Sequence, residues 1–215
     1  MKDSKFIPKL RPYPEEVVFV VIDVQNQFCI PGAGGNAQIE AISERIQSLA
    51  QEFRKAEIPV YAVYYFDDMK KKASEEDFYK FTPDKNDISI TKTESSAFQG
   101  SSIKEILEKD HKKRLVVCGF NLSSCVLNTV MDARKAGFEV WLLQDLTGDN
   151  DHFIYKDTRS KEDSLRKMQA EGVVMTTSEK VLRQLREPRN TSGYQNGVPV
   201  TEEDVMKKAP ARPTL

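Results

Sequence analysis

The sequence has few of the features that mark disulfide-rich, zinc-binding, secreted or membrane proteins. Only three of its 215 residues are cysteines, and no two of them form a CxxC pair, which argues against a disulfide framework and a zinc knuckle. It has no run of about eighteen apolar residues, and its N-terminal segment is polar and contains several prolines. We therefore expect a cytoplasmic protein with no membrane partner.

The sequence also lacks an excess of charge of either sign. Lys and Arg number 32 and Asp and Glu 33, for a formal net charge of -1. Nothing in this balance attracts nucleic acid or anionic lipid, which leaves a small molecule as the expected partner. The length suits one domain with a full apolar core. We predict a single domain over residues 1–188 and an irregular C-terminal tail over residues 189–215.

Short apolar runs alternate with helical periodicity along most of the chain. Residues 17–22 form a continuous β-branched run, typical of a strand buried on both faces. A helical pattern over residues 39–55 follows, and then a second strand over residues 58–65. Further strands are predicted at residues 88–91, 115–119, 138–143 and 172–175. About six mainly parallel strands with helices on both faces make a three-layer, doubly wound, Rossmann-like α/β fold.

Several helix ends are also indicated by the sequence. Ser102 and Glu105 have the spacing of a capping box, Ser123 or Ser124 can cap the next helix, and Gly137 lies where that helix should stop. The polar segment 66–87 is long enough to form a surface excursion or a lid over a site.

Three chemically useful residues directly follow predicted strands. Asp23 follows the first strand, Lys92 the third and Cys125 the fourth, at the opening turn of a helix. Parallel sheets bind ligands at the carboxyl ends of their strands, so all three belong to one edge. Taken singly, each has an ordinary structural explanation, such as core filling for the cysteine and a turn for the aspartate.

The position of Cys125 predicts a reactive thiol. A helix N-terminus and a nearby Lys92 ammonium both favour a thiolate, while Asp23 can accept the proton and later return it. The N–H groups of the same turn can hold a developing oxyanion. His152 offers two other interpretations, a Cys–His pair or a metal cluster, although an acidic loop with one histidine is usually a solvated turn.

Three segments together resemble one known family. Asp23, Gln25 and Phe28 match a D-x-Q-x-x-F motif, residues 92–98 match K-x-x-x-S-A-F, and residues 119–126 resemble a cysteine loop. The chain thus resembles the isochorismatase-like cysteine hydrolases, which include nicotinamidase, N-carbamoylsarcosine amidase and isochorismatase, over roughly residues 17–186.

The resemblance implies a role for each matching residue. Asp23, Lys92 and Cys125 would form a catalytic triad of base, ammonium partner and nucleophile, with a thioester-type intermediate. A cis peptide before Asn121 would direct the N–H groups of Asn121 and Cys125 at the oxyanion. The resemblance also implies a homodimer or homotetramer. The expected substrate pocket consists of Gln25, Phe28, Tyr65, Phe98 and Phe120.

The chain departs from the family pattern at two places. Nicotinamidases have a D-x-H metal motif where this chain has Tyr65, Phe66 and Asp67, so we expect no metal and no organic cofactor. Leu122 replaces the usual threonine of the cysteine loop. Three functions stay open: a hydrolase of amide- or ureido-type C–N bonds in a small metabolite, a vinyl-ether hydrolase, and a catalytically silent binding or assembly domain.

Overall fold

Six parallel strands form the sheet around which the chain is built. The computed structural model describes residues 14–151 and 161–187, and the backbone of residues 194–195 and 198–199. The strands of the sheet are β1 Val17–Ile22, β2 Val60–Tyr65, β3 Ile88–Lys92, β4 Arg114–Phe120, β5 Glu139–Gly148 and β6 Val174–Thr176. They lie in the order β3-β2-β1-β4-β5-β6, and every pair is parallel. This confirms the predicted doubly wound α/β fold.

Helices cover both faces of this sheet. They are α1 Asn26–Cys29, α2 Ala37–Lys55, α3 Ile103–Lys109, α4 Leu127–Lys135, α5 Lys161–Ala170 and α6 Ser178–Arg186. One apolar cluster joins the sheet to α2 and α6, and the other joins it to α3, α4 and α5. None of the helices that the structure describes combines the length and apolar composition needed to span a membrane.

The composition of β1 follows from this two-sided burial. Val17, Phe19 and Val21 pack in the cluster with α2, and the intervening residues pack in the cluster with α3 and α4. Successive side chains of a strand point to opposite faces, so a strand covered on both sides must be apolar throughout. The unbroken run in the sequence is thus the signature of a central strand.

Two predicted helix caps are wrong. Ser102 makes no capping hydrogen bond, and the N–H of Ile103 donates instead to Oγ of Ser101 at 3.1 Å. Ser123 and Ser124 do not cap α4, because both lie inside a π-helical turn, Leu122–Val126, that precedes it. The stop at Gly137 is confirmed: this residue has a φ of 91° directly after the last turn of α4.

The segment between β2 and β3, residues 66–87, forms a strap that is hydrogen-bonded to the residues following β1. Phe78 forms an antiparallel bridge with Gln25, and the N–H of Tyr79 donates to the carbonyl of Val24 at 3.2 Å. Farther along, Nε of Arg54 on α2 donates to Asp87 at 3.1 Å. The strap therefore runs beside the residues that immediately follow Asp23.

A separate unit begins at Arg186. In the segment predicted to be irregular, β7 Tyr194–Gln195 and β8 Val198–Pro199 form a two-stranded antiparallel sheet. The segment thus contains regular pairing that the sequence did not indicate.

Gly119 is required by the close approach of β4 to β1. It pairs with Ile22 and has a φ of 117°, and a Cβ placed there would lie 2.0 Å from the carbonyl oxygen of Ile22. The backbone of a central strand cannot shift to relieve this clash. Only glycine therefore fits where β4 leads into the cysteine loop.

We expect Gly119→Ala to destabilise the fold by more than about 4 kcal/mol, because the new methyl group collides with the backbone of β1. The matched control is Gly137→Ala, which also has a positive φ but no atom within 4 Å of the new Cβ. It should cost only about 1–2 kcal/mol. Urea unfolding measures both, and equal losses would contradict the steric explanation.

Candidate active site

Three side chains that are remote in the sequence meet at the carboxyl edge of the sheet. Nζ of Lys92 lies 2.9 Å from Oδ2 of Asp23 and 3.4 Å from Sγ of Cys125. Asp23 and Lys92 are fully buried, and Cys125 is 7% exposed. The structure therefore brings together a carboxylate, an ammonium and a thiol, as the strand order predicts.

Strand spacing explains why a lysine occupies the β3 position. β2 lies between β3 and β1, and two strand intervals separate their backbones by about 10 Å. The long side chain of Lys92 crosses this gap to reach Asp23. Its ammonium also donates to the carbonyl of Glu94 at 3.1 Å and lies 4.9 Å from the ring centroid of Tyr65. These contacts fix the cation at the centre of the cluster.

Asp23 is held in a tight turn at the end of β1. Its φ is 52°, its N–H donates to the carbonyl of Val63 at 2.9 Å, and its carbonyl accepts from Gln25 at 2.8 Å. Apart from Lys92 and Cys125, its carboxylate has no hydrogen-bond partner among the described residues. Burial raises the pKa of Asp23, and the opposing effects of Lys92 and Cys125 do not cancel the increase.

The pKa of Cys125 is shifted upward, in the direction opposite to the low-pKa thiolate that the sequence predicts. Burial, followed by the negative charge of Asp23, raises the pKa of Cys125 to about 12, although Lys92 acts in the opposite direction. The predicted benefit of a helix terminus is also reduced, since Cys125 lies in the π turn and α4 begins two residues later. The cluster is therefore a neutral thiol beside a carboxylate that can take its proton.

The cysteine loop is positioned by residues that follow β5. Oδ1 of Asp149 accepts from both the N–H and the Oγ of Ser123, each at 2.8 Å. The N–H of Asn150 donates to Oδ1 of Asn121 at 2.8 Å, and its amide donates to the carbonyl of Phe28 at 3.0 Å. This segment thus ties the cysteine loop to α1.

Sequence reasoning missed Asp149 and Asn150. It grouped them with His152 as a solvated acidic turn, and His152 itself lies outside the described residues. Both follow directly after β5 at the same edge as the other site residues, but the strand predicted over residues 138–143 ends five residues before Gly148, so their position at the edge was not visible in the sequence. The cis peptide between Phe120 and Asn121, which the resemblance implies, is present.

Three of the five predicted pocket residues have structural contacts instead. Gln25 is 1% exposed and uses its amide on the backbone of Tyr65, accepting from its N–H at 2.8 Å and donating to its carbonyl at 3.3 Å. Phe120 is fully buried in the core. Phe98 packs against Phe138, which precedes β5 at the opposite edge of the sheet. Phe28 and Tyr65 are half-buried, with ring centroids 6.3 Å apart, and both lie at the site.

Comparison with known proteins assigns this arrangement to a family. The model of the Isochorismatase domain matches residues 17–180, a span that contains all three clustered side chains. The chain belongs to the isochorismatase family. Its members are hydrolases, and membership therefore makes this chain a hydrolase by family.

Individual family members are similar at modest identity. The "Secreted isochorismatase effector Isc1" of Verticillium dahliae is 29% identical over 153 residues, or 67% of this chain and 79% of that protein. "Isochorismatase family protein 1B" of Dictyostelium discoideum is 20% identical and covers 88% of each chain.

Solved structures share the fold of this isochorismatase-family chain. A cysteine hydrolase from Pseudomonas syringae has a TM-score of 0.66 at 21% identity, covering 84% of this chain and 98% of that one. The pyrazinamidase of Pyrococcus horikoshii, in complex with zinc, has a TM-score of 0.65 at 21% identity and covers 75% and 99%.

The zinc of such relatives does not fit the corresponding place in this family member. Phe66 is buried, and Oδ1 of Asp67 accepts from the hydroxyl of Tyr65 at 2.8 Å. Over residues 14–151 and 161–187, no three His, Cys, Asp or Glu side chains converge as metal ligands. One exposed carboxylate without an imidazole is not the ligand set of a zinc site.

Alkylation of Cys125 by iodoacetamide should be slower than that of free cysteine at pH 7–8, because the raised pKa of Cys125 leaves less thiolate. Its rate should continue to rise above pH 9, where free cysteine levels off. Peptide-level mass spectrometry measures the rate at each pH. Asp23→Asn removes the negative charge and should accelerate alkylation, whereas a rate that levels off below pH 8 would contradict the assignment.

We expect Asp149→Ala to lower the free energy of unfolding by about 1–3 kcal/mol, because two donors of buried Ser123 lose their acceptor. Asp149→Asn keeps an oxygen in the same place and should lose about 1 kcal/mol or less. Chemical denaturation compares the two variants. Equal losses would indicate that the charge of Asp149, rather than its hydrogen bonds, stabilises the loop.

Proposed function

We propose that this chain is a cysteine hydrolase that cleaves an amide- or ureido-type C–N bond of a small metabolite through a thioester-type intermediate on Cys125. The observation that carries the proposal is the contact of Lys92 with both Asp23 and Cys125 in a buried cluster. A nucleophile, a proton acceptor and a fixed positive charge at one point are the parts that acyl transfer requires.

The first half of the reaction uses Asp23 as a base and then as an acid. Sγ of Cys125 attacks the carbonyl carbon, an S–C bond forms, and the thiol proton passes to the Asp23 carboxylate. The raised pKa of Asp23 suits it to hold that proton. When the tetrahedral adduct collapses, the C–N bond breaks and Asp23 gives the proton to the leaving nitrogen.

The second half restores the enzyme with water. Water attacks the thioester carbon and gives a proton to Asp23, after which the C–S bond breaks and the proton returns to sulfur. Lys92 stays an ammonium throughout and stabilises each ionised state of its two partners. We assign the developing oxyanion to the N–H groups of Asn121 and Cys125.

A second candidate is hydrolysis of a vinyl ether, as in isochorismatase. One feature favours it: burial raises the pKa of Asp23, which makes its carboxyl group a readier proton donor. Vinyl ethers are hydrolysed by proton transfer to carbon, which needs an acid and no thiolate. The Verticillium dahliae relative is named an isochorismatase effector.

The proposal extends to the state of the protein in solution. We expect a cytoplasmic homodimer or homotetramer that binds a small-molecule substrate, without metal or organic cofactor. Two large apolar side chains are exposed near the site edge, Ile30 at 40% and Met69 at 50%. They are the natural starting points for a search for a subunit interface.

A panel of amides, ureido compounds and vinyl ethers should separate the candidates. With an amide or ureido substrate, we expect Cys125→Ala to lose more than about 1,000-fold in turnover, and Asp23→Asn and Lys92→Ala to lose most of it. Mass spectrometry of the wild type, quenched during turnover, should find the acyl group on Cys125.

The other outcomes identify the alternatives. Turnover retained in Cys125→Ala but lost in Asp23→Asn would replace the thioester mechanism with vinyl-ether hydrolysis. A panel without turnover, together with no acyl adduct on Cys125, would identify a silent binding domain.

A further inference from the structure

The charges at the mouth of the Asp23–Lys92–Cys125 cluster indicate what kind of substrate it admits. We propose that the entrance formed by Phe28, Tyr65, Asp67 and Glu94 selects substrates with a positive charge beside the scissile bond and discriminates against anions. This inference rests on the proposed function and adds the class of substrate.

The cluster contains no unpaired cation that could bind an anionic substrate. The charge of Lys92 is balanced by Asp23 at 2.9 Å, and Cys125 is neutral. A substrate carboxylate brought to this buried site would meet a carboxylate and an ammonium already paired with each other. No group in the cluster would compensate the free-energy cost of removing water from that substrate carboxylate.

An aromatic side chain lies beside the cluster. The ring of Tyr65 lies 4.9 Å from Nζ of Lys92 on one side and 6.3 Å from the ring of Phe28 on the other. Gln25 and Gln27 both hold the backbone of Tyr65, the latter through a bond of 2.7 Å to its carbonyl. Tyr65 is therefore a fixed wall with a polar outer end.

Two exposed carboxylates lie at this outer end. Asp67 accepts from the hydroxyl of Tyr65 at 2.8 Å, and Glu94 follows Lys92 by two residues and binds its ammonium through the backbone carbonyl. The pKa of Tyr65 is raised by its hydrogen bond to Asp67, by burial, and by the charges of Asp67 and Glu94. Both carboxylates thus act on the group that lines the entrance.

Neither Asp67 nor Glu94 forms an ion pair with a cation of the residues that the structure describes. Lys71 of the strap is engaged elsewhere, with its Nζ 4.1 Å from the ring centroid of Phe66 and 3.4 Å from Oδ1 of Asp77. The entrance therefore combines aromatic rings with two carboxylates that no ion pair neutralises. Cations bind favourably to both features, and a field of this sign raises their local concentration while lowering that of anions.

The inference also bears on the vinyl-ether alternative. Isochorismate carries two carboxylates, and an entrance that repels anions is poorly suited to it. An amide or ureido compound with an ammonium or amidinium group suits the same entrance well.

Thiol reagents of matched size and different charge test the entrance without requiring turnover. The probes are aminoethyl, propyl and sulfonatoethyl methanethiosulfonate, which are cationic, neutral and anionic. Each forms a disulfide with Cys125 and releases methanesulfinate, with the thiol proton lost to buffer. Peptide mass spectrometry measures the rate at Cys125 separately from Cys29 and Cys118, which are also free cysteines. Each rate is then divided by the rate of the same reagent with a free thiol, which removes differences in intrinsic reactivity.

We expect the normalised cationic rate to exceed the anionic rate by about tenfold or more at low salt, and the ratio to fall as salt is added. In the double variant Asp67→Asn/Glu94→Gln, the ratio should fall to within about threefold. The matched control is the double variant Glu105→Gln/Glu108→Gln on α3, which also removes two negative charges at exposed positions and should keep the full ratio.

A ratio that is near one in the wild type, or unchanged in the double variant, would overturn the proposal. So would a Cys125 that none of the three reagents modifies. Amide turnover is measured separately with β-alaninamide, butanamide and succinamate, which are cationic, neutral and anionic. Turnover without charge preference contradicts the entrance alone, whereas charge preference toward the reagents without turnover of any substrate contradicts the hydrolase mechanism.

Discussion

The buried pair of Asp23 and Lys92 is the interaction on which the rest of the site depends. Both side chains have lost their hydration, a cost of several kcal/mol per ion that mutual attraction only partly offsets. A fold that needed only stability would place apolar residues there. On the proposed mechanism, the pair is retained because it sets the protonation state of the third member, Cys125.

That dependence determines the kind of thiol chemistry the site can perform. A thiolate formed in advance needs an environment in which cations dominate, and here burial and the Asp23 carboxylate outweigh Lys92. In the proposed mechanism the proton therefore moves during attack rather than before it. The Asp23 carboxyl group contacts both the sulfur and the ammonium. Its raised pKa suits it to accept the thiol proton during attack and to release that proton later in the reaction.

Much of this site could be predicted from the sequence because it is specified by strands. An apolar run such as residues 17–22 predicts a buried parallel strand. The residue that follows the run then lies at the carboxyl edge of the sheet, as Asp23 does. The directions of the side chains beyond the strands were not predictable in the same way. Gln25 and Phe98 matched family motifs, yet tertiary contacts with Tyr65 and Phe138 decide where they point.

Other errors have different physical causes. The cap expected at Ser123 was replaced by a π turn, because Asp149, 26 residues away, takes both of its donors. No local pattern contains that contact. The low pKa predicted for Cys125 differs from the raised pKa found in the structure, because the sequence shows which charges are close but not how completely they are buried. Burial has the larger effect on this pKa.

The sequence at residues 65–67 departs from the family's metal motif, whereas the residues of the cluster match the family pattern. A zinc site would place a strong positive charge beside the cysteine and would suit electron-rich ligands. Here the ring of Tyr65 lies 4.9 Å from Nζ of Lys92, and Asp67 accepts a hydrogen bond from the hydroxyl of Tyr65. On the proposal above, the entrance sets the choice among substrates, because Asp23 already balances the charge of Lys92 within the cluster. Two members of this family with the same reaction centre would then bind substrates of opposite polarity.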